Sequence, residues 1–177
     1  MHDLASYENI LESYDGSKLI PRWKQLVNLG LSPDQANNEG RTTLHIIAAS
    51  QPCIHGGAYT SNAGSVNLAD LVIAEAKNLS PRDNQGLTAL HLAATVSELV
   101  VKKLLDAGAN LAVTTFEGLT PLHLAARARQ SNIVGLLLER SKSQGLELVN
   151  ACDENGHTAL YYACRSGSKR RSCTNCI

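Results

Sequence analysis

Asp83-Asn-Gln-Gly-Leu-Thr-Ala-Leu-His-Leu-Ala-Ala94, followed by Ser97-Glu-Leu-Val-Val-Lys-Lys-Leu-Leu-Asp-Ala-Gly-Ala-Asn110, decides how this chain folds. Gly86 suits a turn position where φ is positive. Thr88 is a candidate N-cap, whose hydroxyl can take an orphan backbone N–H at a helix start. In the second segment Val100/Val101 and Leu104/Leu105 make one apolar stripe at helical spacing. Gly108 then stops the helix, as a glycine just past a helix end does. The stretch reads as turn, short helix, turn, second helix.

The first half of this unit recurs as Gly40-Arg-Thr-Thr-Leu-His-Ile-Ile-Ala48, Gly118-Leu-Thr-Pro-Leu-His-Leu-Ala-Ala126 and Gly156-His-Thr-Ala-Leu-Tyr-Tyr-Ala-Cys164. From Gly40 to Gly86, Gly118 and Gly156 the steps are 46, 32 and 38 residues, a period near ~33 with insertions. Thr42, Thr120 and Thr158 repeat the capping threonine, and Pro121 stands at the first helical position, where its missing N–H costs nothing. Ser131-Asn-Ile-Val-Gly-Leu-Leu-Leu138 repeats the second helix. Neither helix can bury its apolar face alone, so the units must stack.

These residues resemble the ankyrin repeat, with its Asp-x-x-Gly-x-Thr-Pro-Leu-His-x-Ala-Ala run, its Val-Val-x-x-Leu-Leu helix and its Gly-Ala-Asp end. The match is most literal from Asp83 to Cys164, and Asp106-Ala-Gly-Ala-Asn110 copies the repeat end. The resemblance implies an all-α ankyrin-repeat solenoid of stacked helix-turn-helix units joined by β-turn loops. On this reading residues 1–36 are a divergent N-terminal unit or cap. Arg22–Gly30 is its second helix, and Leu4, Tyr7, Ile10/Leu11 and Tyr14 form a stripe behind Asp3. Residues 37–82 are a repeat with an insertion near 52–65, and 83–114 a repeat of ordinary length. Residues 115–152 are a repeat with a loop inserted near 141–148. Residues 153–167 are half a repeat up to the turn glycine Gly167, and 168–177 a disordered tail. The tail, Ser168-Lys-Arg-Arg-Ser-Cys-Thr-Asn-Cys-Ile177, has no Val/Leu stripe and leaves the last apolar stack poorly covered. Two explanations stand open: the sequence is a piece of a longer array, or the end is short by nature.

Composition narrows the function. The 177 residues carry 16 Lys+Arg against 16 Asp+Glu, which argues against a nucleic-acid or polybasic membrane binder. No apolar run reaches the ~18 residues of a membrane span, and the acidic N-terminus has no signal-like apolar stretch. Five scattered cysteines, an odd number, do not look like a disulfide framework, so a cytoplasmic or nuclear, reducing setting is expected.

Candidate chemistry is sparse. His45, His91 and His123 share one register, one repeat apart, too far to share an ion at ~2 Å bonds. The resemblance gives them structural hydrogen bonds involving the motif threonine. Cys173-x-x-Cys176 has metal or redox spacing but no second ligand pair nearby, and Lys169-Arg170-Arg171 is a short basic run. No P-loop, nucleophile elbow or dinucleotide fingerprint occurs. Neither enzyme activity nor a cofactor or metal is expected.

The expected function is protein binding by a scaffold, through a concave surface of turn tips and first helices. The alternative is a structural or regulatory ankyrin segment of a larger multidomain protein. The resemblance points Asn38, Glu39, Arg41 and Ala49, then Arg82, Asn84, Gln85, Leu87 and Thr95, into that surface. It adds Thr114, Phe116, Glu117, Leu119 and Arg127, and finally Glu154, Asn155, His157 and Arg165. Phe116 and Arg127 are the expected hot spots, because aromatics and arginines dominate interface energies. The chain is expected to be monomeric, with weak self-association through its open C-terminal end.

Overall fold

The computed structural model describes residues 24–25, 27–30, 32–50 and 68–168. The insertion expected near 52–65, the stripe from Leu4 to Tyr14 and the cysteines and basic run of the tail lie outside them. Seven α-helices follow one another among the described residues: α1 Thr43–Ala49, α2 Leu68–Glu75, α3 Ala89–Val96, α4 Glu98–Asp106, α5 Pro121–Arg127, α6 Ser131–Ser143 and α7 Ala159–Ser168. A 3-10 turn at Leu148–Asn150 precedes α7. The architecture is the all-α repeat stack expected. The first helices pack in one row, α1 on α3, α3 on α5 and α5 on α7, and the second helices in another, α2 on α4 and α4 on α6.

Each first helix starts where its threonine stands. Thr42, Thr88 and Thr120 are N-caps in extended conformation, and Pro121 opens α5. Small residues let the first helices approach closely: Ala48, Ala89, Ala93, Ala94 and Ala125 are fully buried. The second helices contribute Val72, Val101, Leu104, Ile133 and Leu137 to the same core. Burying a side chain of that size contributes about 1.5–3 kcal/mol. Ion pairs tie the second-helix row at its surface, from Lys103 to Asp70 and from Arg140 to Asp106.

Two local expectations need correction. Ser141–Ser143, expected in a loop, form the last turn of α6, and Ser141 is buried. The helix stops only at Gly145, whose φ of 67° lets the Leu146 N–H turn back to the Ser141 carbonyl. Gly167, expected as a turn glycine, lies inside α7. Within the expected N-terminal unit, Lys24, Gln25, Val27 and Asn28 are helical and Gly30 takes a φ of 87°, as a helix end requires.

Candidate partner-binding surface

The turns ahead of the first helices are built alike from four residues. Asn37, Asp83, Thr115 and Asp153 each accept, on one side-chain oxygen, the backbone N–H groups two and four residues on. The same residues donate their backbone N–H groups to the carbonyls of Arg41, Leu87, Leu119 and His157, which closes each tip. Neighbouring tips are bonded to one another: Asn84 N–H donates to the Glu39 carbonyl at 2.9 Å, and Glu154 N–H to the Glu117 carbonyl at 3.1 Å. The approach is so close at Gly86, with φ at 76°, that a Cβ there would sit 2.7 Å from the Phe116 nitrogen. Glycine is needed at this point for both its conformation and its size.

The histidines lock these tips to the helices. In the three units between residues 37 and 152 the His Nδ1 accepts the N–H and the hydroxyl of the capping threonine, as Thr42–His45, Thr88–His91 and Thr120–His123. The other nitrogen must then carry the proton. It donates to the next unit, His45 Nε2 to the Leu87 carbonyl at 3.0 Å, His91 to that of Leu119 at 2.9 Å and His123 to that of His157 at 3.1 Å. Burial outweighs the backbone acceptor and pushes His91 down to about 4; it lowers His45 in the same way. His45 and His91 are neutral staples between repeats. Among the described residues no group of three His, Cys, Asp or Glu is placed to hold a metal ion, and no helix is long and apolar enough to cross a membrane.

A family model for ankyrin repeats in three copies matches residues 58–149 and, in a second placement, 97–174. The chain belongs to the ankyrin-repeat family. Ankyrin repeats are generally protein-interaction modules and typically not enzymes. No curated protein matches the sequence.

On this ankyrin stack the expected contact residues divide by exposure. Asn38, Glu39, Ala49, Arg82, Asn84, Gln85, Phe116, Glu117, Arg127, Glu154, Asn155 and Arg165 are exposed. Arg41, Leu87, Thr95, Thr114 and His157 are half-buried. Leu119 differs from the expectation: its side chain is buried at 4 % exposure and belongs to the interior of its turn.

Two groups are brought together. Phe116, 60 % exposed, carries the Arg82 guanidinium 6.0 Å from its ring centre, within reach of a cation–π contact. Arg127 and Arg165, equivalent residues of successive units, line one hollow of about 460 Å³ with Tyr162 and Ser166. Arg41 is already engaged, with Glu39 at 3.0 Å and Asp83 at 3.4 Å.

Tyr162 and Gln130 escaped the sequence reading. The Tyr162 hydroxyl donates to Asp153 Oδ2 at 2.6 Å and, above other causes, holds that carboxyl down at about 2. The same bond raises the Tyr162 phenol. Gln130 Nε2 donates to the Thr95 carbonyl, across units, at 2.9 Å. Tyr162 takes a position held elsewhere by Ile46, Leu92 and Leu124, and that change of type is the signal that could have found it.

Proposed function

We propose that this chain binds a protein partner through the concave row of its turn tips and first helices, centred on Phe116 and Arg127. The observation that carries the reading is the exposed Phe116 ring, held on the Gly86 turn beneath Arg82. An apolar ring fixed in place on a surface otherwise made of Asn84, Gln85 and Glu117 loses little entropy when a partner covers it. Arg127 and Arg165, in a hollow they share at the other end of the first helices, offer charge and donors. Hydrogen bonds join the Asn84 tip to the Glu39 tip and the Glu154 tip to the Glu117 tip, and Gly86 packs closely on Phe116 between them, so docking requires no reordering of the backbone. This reading keeps the chain monomeric and in the reducing cytoplasm or nucleus, where the exposed thiols Cys152 and Cys164 remain free.

The test uses the chain and a Phe116→Ala/Arg127→Glu variant as parallel baits in lysate of the source organism, read by mass spectrometry. Both residues are exposed, so the two baits should melt alike. A protein retained by the first bait and lost by the second is expected. For that partner Phe116→Ala alone should cost over about 1.5 kcal/mol of binding. Identical retention by both baits would move the binding site elsewhere on the molecule.

A further inference from the structure

Three of the described arginines are already engaged. Arg41 is paired with Glu39 and Asp83, Arg140 with Asp106, and Arg82 lies over the Phe116 ring. Arg127 and Arg165 have no carboxylate within ion-pair distance among the described residues. Both are exposed, and both stand seven residues after the motif threonine of their unit, Thr120 and Thr158. Ala49 and Thr95 hold that place in the two preceding units, so the basic pair is confined to one part of the row. The two arginines line one hollow of about 460 Å³ with Tyr162 and Ser166. Arg129, likewise exposed and unpaired, lies outside this hollow.

We infer that this hollow receives a phosphorylated serine or threonine of the partner protein; the inference rests on the binding face proposed above. The donors decide the chemistry. The Tyr162 hydroxyl is committed to Asp153, and Ser166 Oγ donates toward the Ala126 and Ala163 carbonyls at 3.4 and 3.1 Å. The two guanidinium groups are therefore the donors the hollow offers to a ligand. Each is a planar fork that matches two oxygens and keeps its charge at any physiological pH. One carboxylate has two oxygens and a single charge, which one fork satisfies, leaving the second arginine unmatched. A phosphate monoester carries three acceptor oxygens and a charge of about −1.5 to −2, which two forks can share.

The acids on this side do not take the place of that group. Asp153 is buried, and its carboxyl already accepts from Asn155, His157 and Tyr162. Glu117 is exposed on the preceding turn tip and makes no ion pair with either arginine. A peptide phosphate also fits the rest of the molecule better than a nucleic-acid or lipid one. The chain balances 16 basic against 16 acidic residues, and a polyanion or an anionic membrane is held by a broad positive field rather than by one pair of arginines.

The probe is N-acetyl-O-phosphoserine methylamide, titrated into the full chain and followed by NMR at the arginine Nε–H resonances. Those of Arg127 and Arg165 should shift together and saturate at millimolar probe, with Arg129 as the unmoved reference. N-acetylglutamate methylamide should bind at least about fivefold more weakly, since it engages one fork. Arg127→Gln and Arg165→Gln should each weaken the phosphoserine compound about tenfold, the loss of one charge-assisted pair. The melting temperature should not move, because both side chains face solvent. No saturable shift, equal shifts at Arg129, or equal binding of the glutamate compound overturns the inference. So does co-sedimentation with phosphatidic acid vesicles that Arg165→Gln abolishes, which would place the phosphate on a lipid. Phosphatase treatment of the lysate separates this inference from the binding face on which it rests. A partner released from the wild-type bait by that treatment supports both. A partner still retained there, and lost by Phe116→Ala/Arg127→Glu, keeps the face and overturns the phosphate.

Discussion

Leu90 and Leu160 occupy the same place in the same motif, yet one is 1 % exposed and the other 71 %. The pair His91 and Tyr161 behaves alike, at 0 % and 41 %. Gly86 and Gly156 share their positive φ, 76° and 77°, but a Cβ would strike Phe116 at the first and meet nothing within 4 Å at the second. A motif in a repeat array therefore specifies a local conformation, and the neighbouring unit decides what that conformation is worth. Interface terms between neighbours hold the stack together, and the unit from Asp153 to Ser168 has a neighbour on one side only among the described residues.

The largest consequence is a difference between two identical substitutions. Leu90→Ala removes a fully covered side chain and should destabilise the chain by about 3–5 kcal/mol, because the transfer loss and the cavity add. Leu160→Ala should change stability by less than about 0.5 kcal/mol. Urea unfolding followed by circular dichroism measures both. Equal losses would mean that Leu160 is covered in solution, and the contrast between the two units would fall.

This contrast also marks how far the sequence could be read. Thr42, Thr88 and Thr120 announce helix starts by local chemistry, and the turn glycines announce positive φ, so the succession of elements was legible. The stripe from Val100 to Leu105 showed its buried face for the same reason. Leu119 was not legible, because a residue flanking a tight turn can face either way and spacing does not choose. The end of α6 was misread at Ser141, since serine is a poor helix former but no stop. The stop is Gly145, four residues on. Tyr162 was missed because its partner, Asp153, lies in the preceding turn and replaces an aliphatic contact by a hydrogen bond. The exposure of Leu160 depends on what lies beside α7, and the motif around it, which matches that around Leu90, does not carry that information.

Acid should separate the two regions next. Neutral His91 accepts the threonine bonds at Nδ1, and protonation there removes both. Its folded pKa, about 4, lies below the ordinary value of 6.5, so the unfolded chain binds the extra proton first. The stabilisation is complete above about pH 6.5 and is lost as pH falls toward about 4, by on the order of 3 kcal/mol from His91 alone. His45, shifted in the same direction, adds to the loss. The last unit has Tyr161 in this slot and no such titration. Urea midpoints at pH 7 and pH 4.5 should differ sharply, and His91→Gln should reduce the difference. A midpoint that does not move would show that protonation leaves the staple intact.

The smallest effect is confined to the last unit. The Asp153 carboxyl accepts from Asn155 and His157 at one oxygen and from the Tyr162 hydroxyl at the other. Each donor favours the charged form, which is why the group sits at about 2. Its contribution is present above the ordinary carboxylate value and lost as pH falls toward 2, below the range in which His91 titrates. The turn at Asp153 should thus outlast the histidine staple of the central unit on acidification, although it stands at the less covered end. Tyr162→Phe deletes the largest of the donors and leaves the ring's edge contact with His123, whose centre lies 5.8 Å away. The Asp153 carboxyl, followed by carbon-detected NMR titration, should then move up toward 3.8 while global stability scarcely changes. An unchanged carboxyl would assign the depression to the Asn155 and His157 amides, the same two donors that serve Asp83 through Gln85 and Leu87. In that case the last turn would differ from the central one only in what covers it, and the comparison would rest on packing alone.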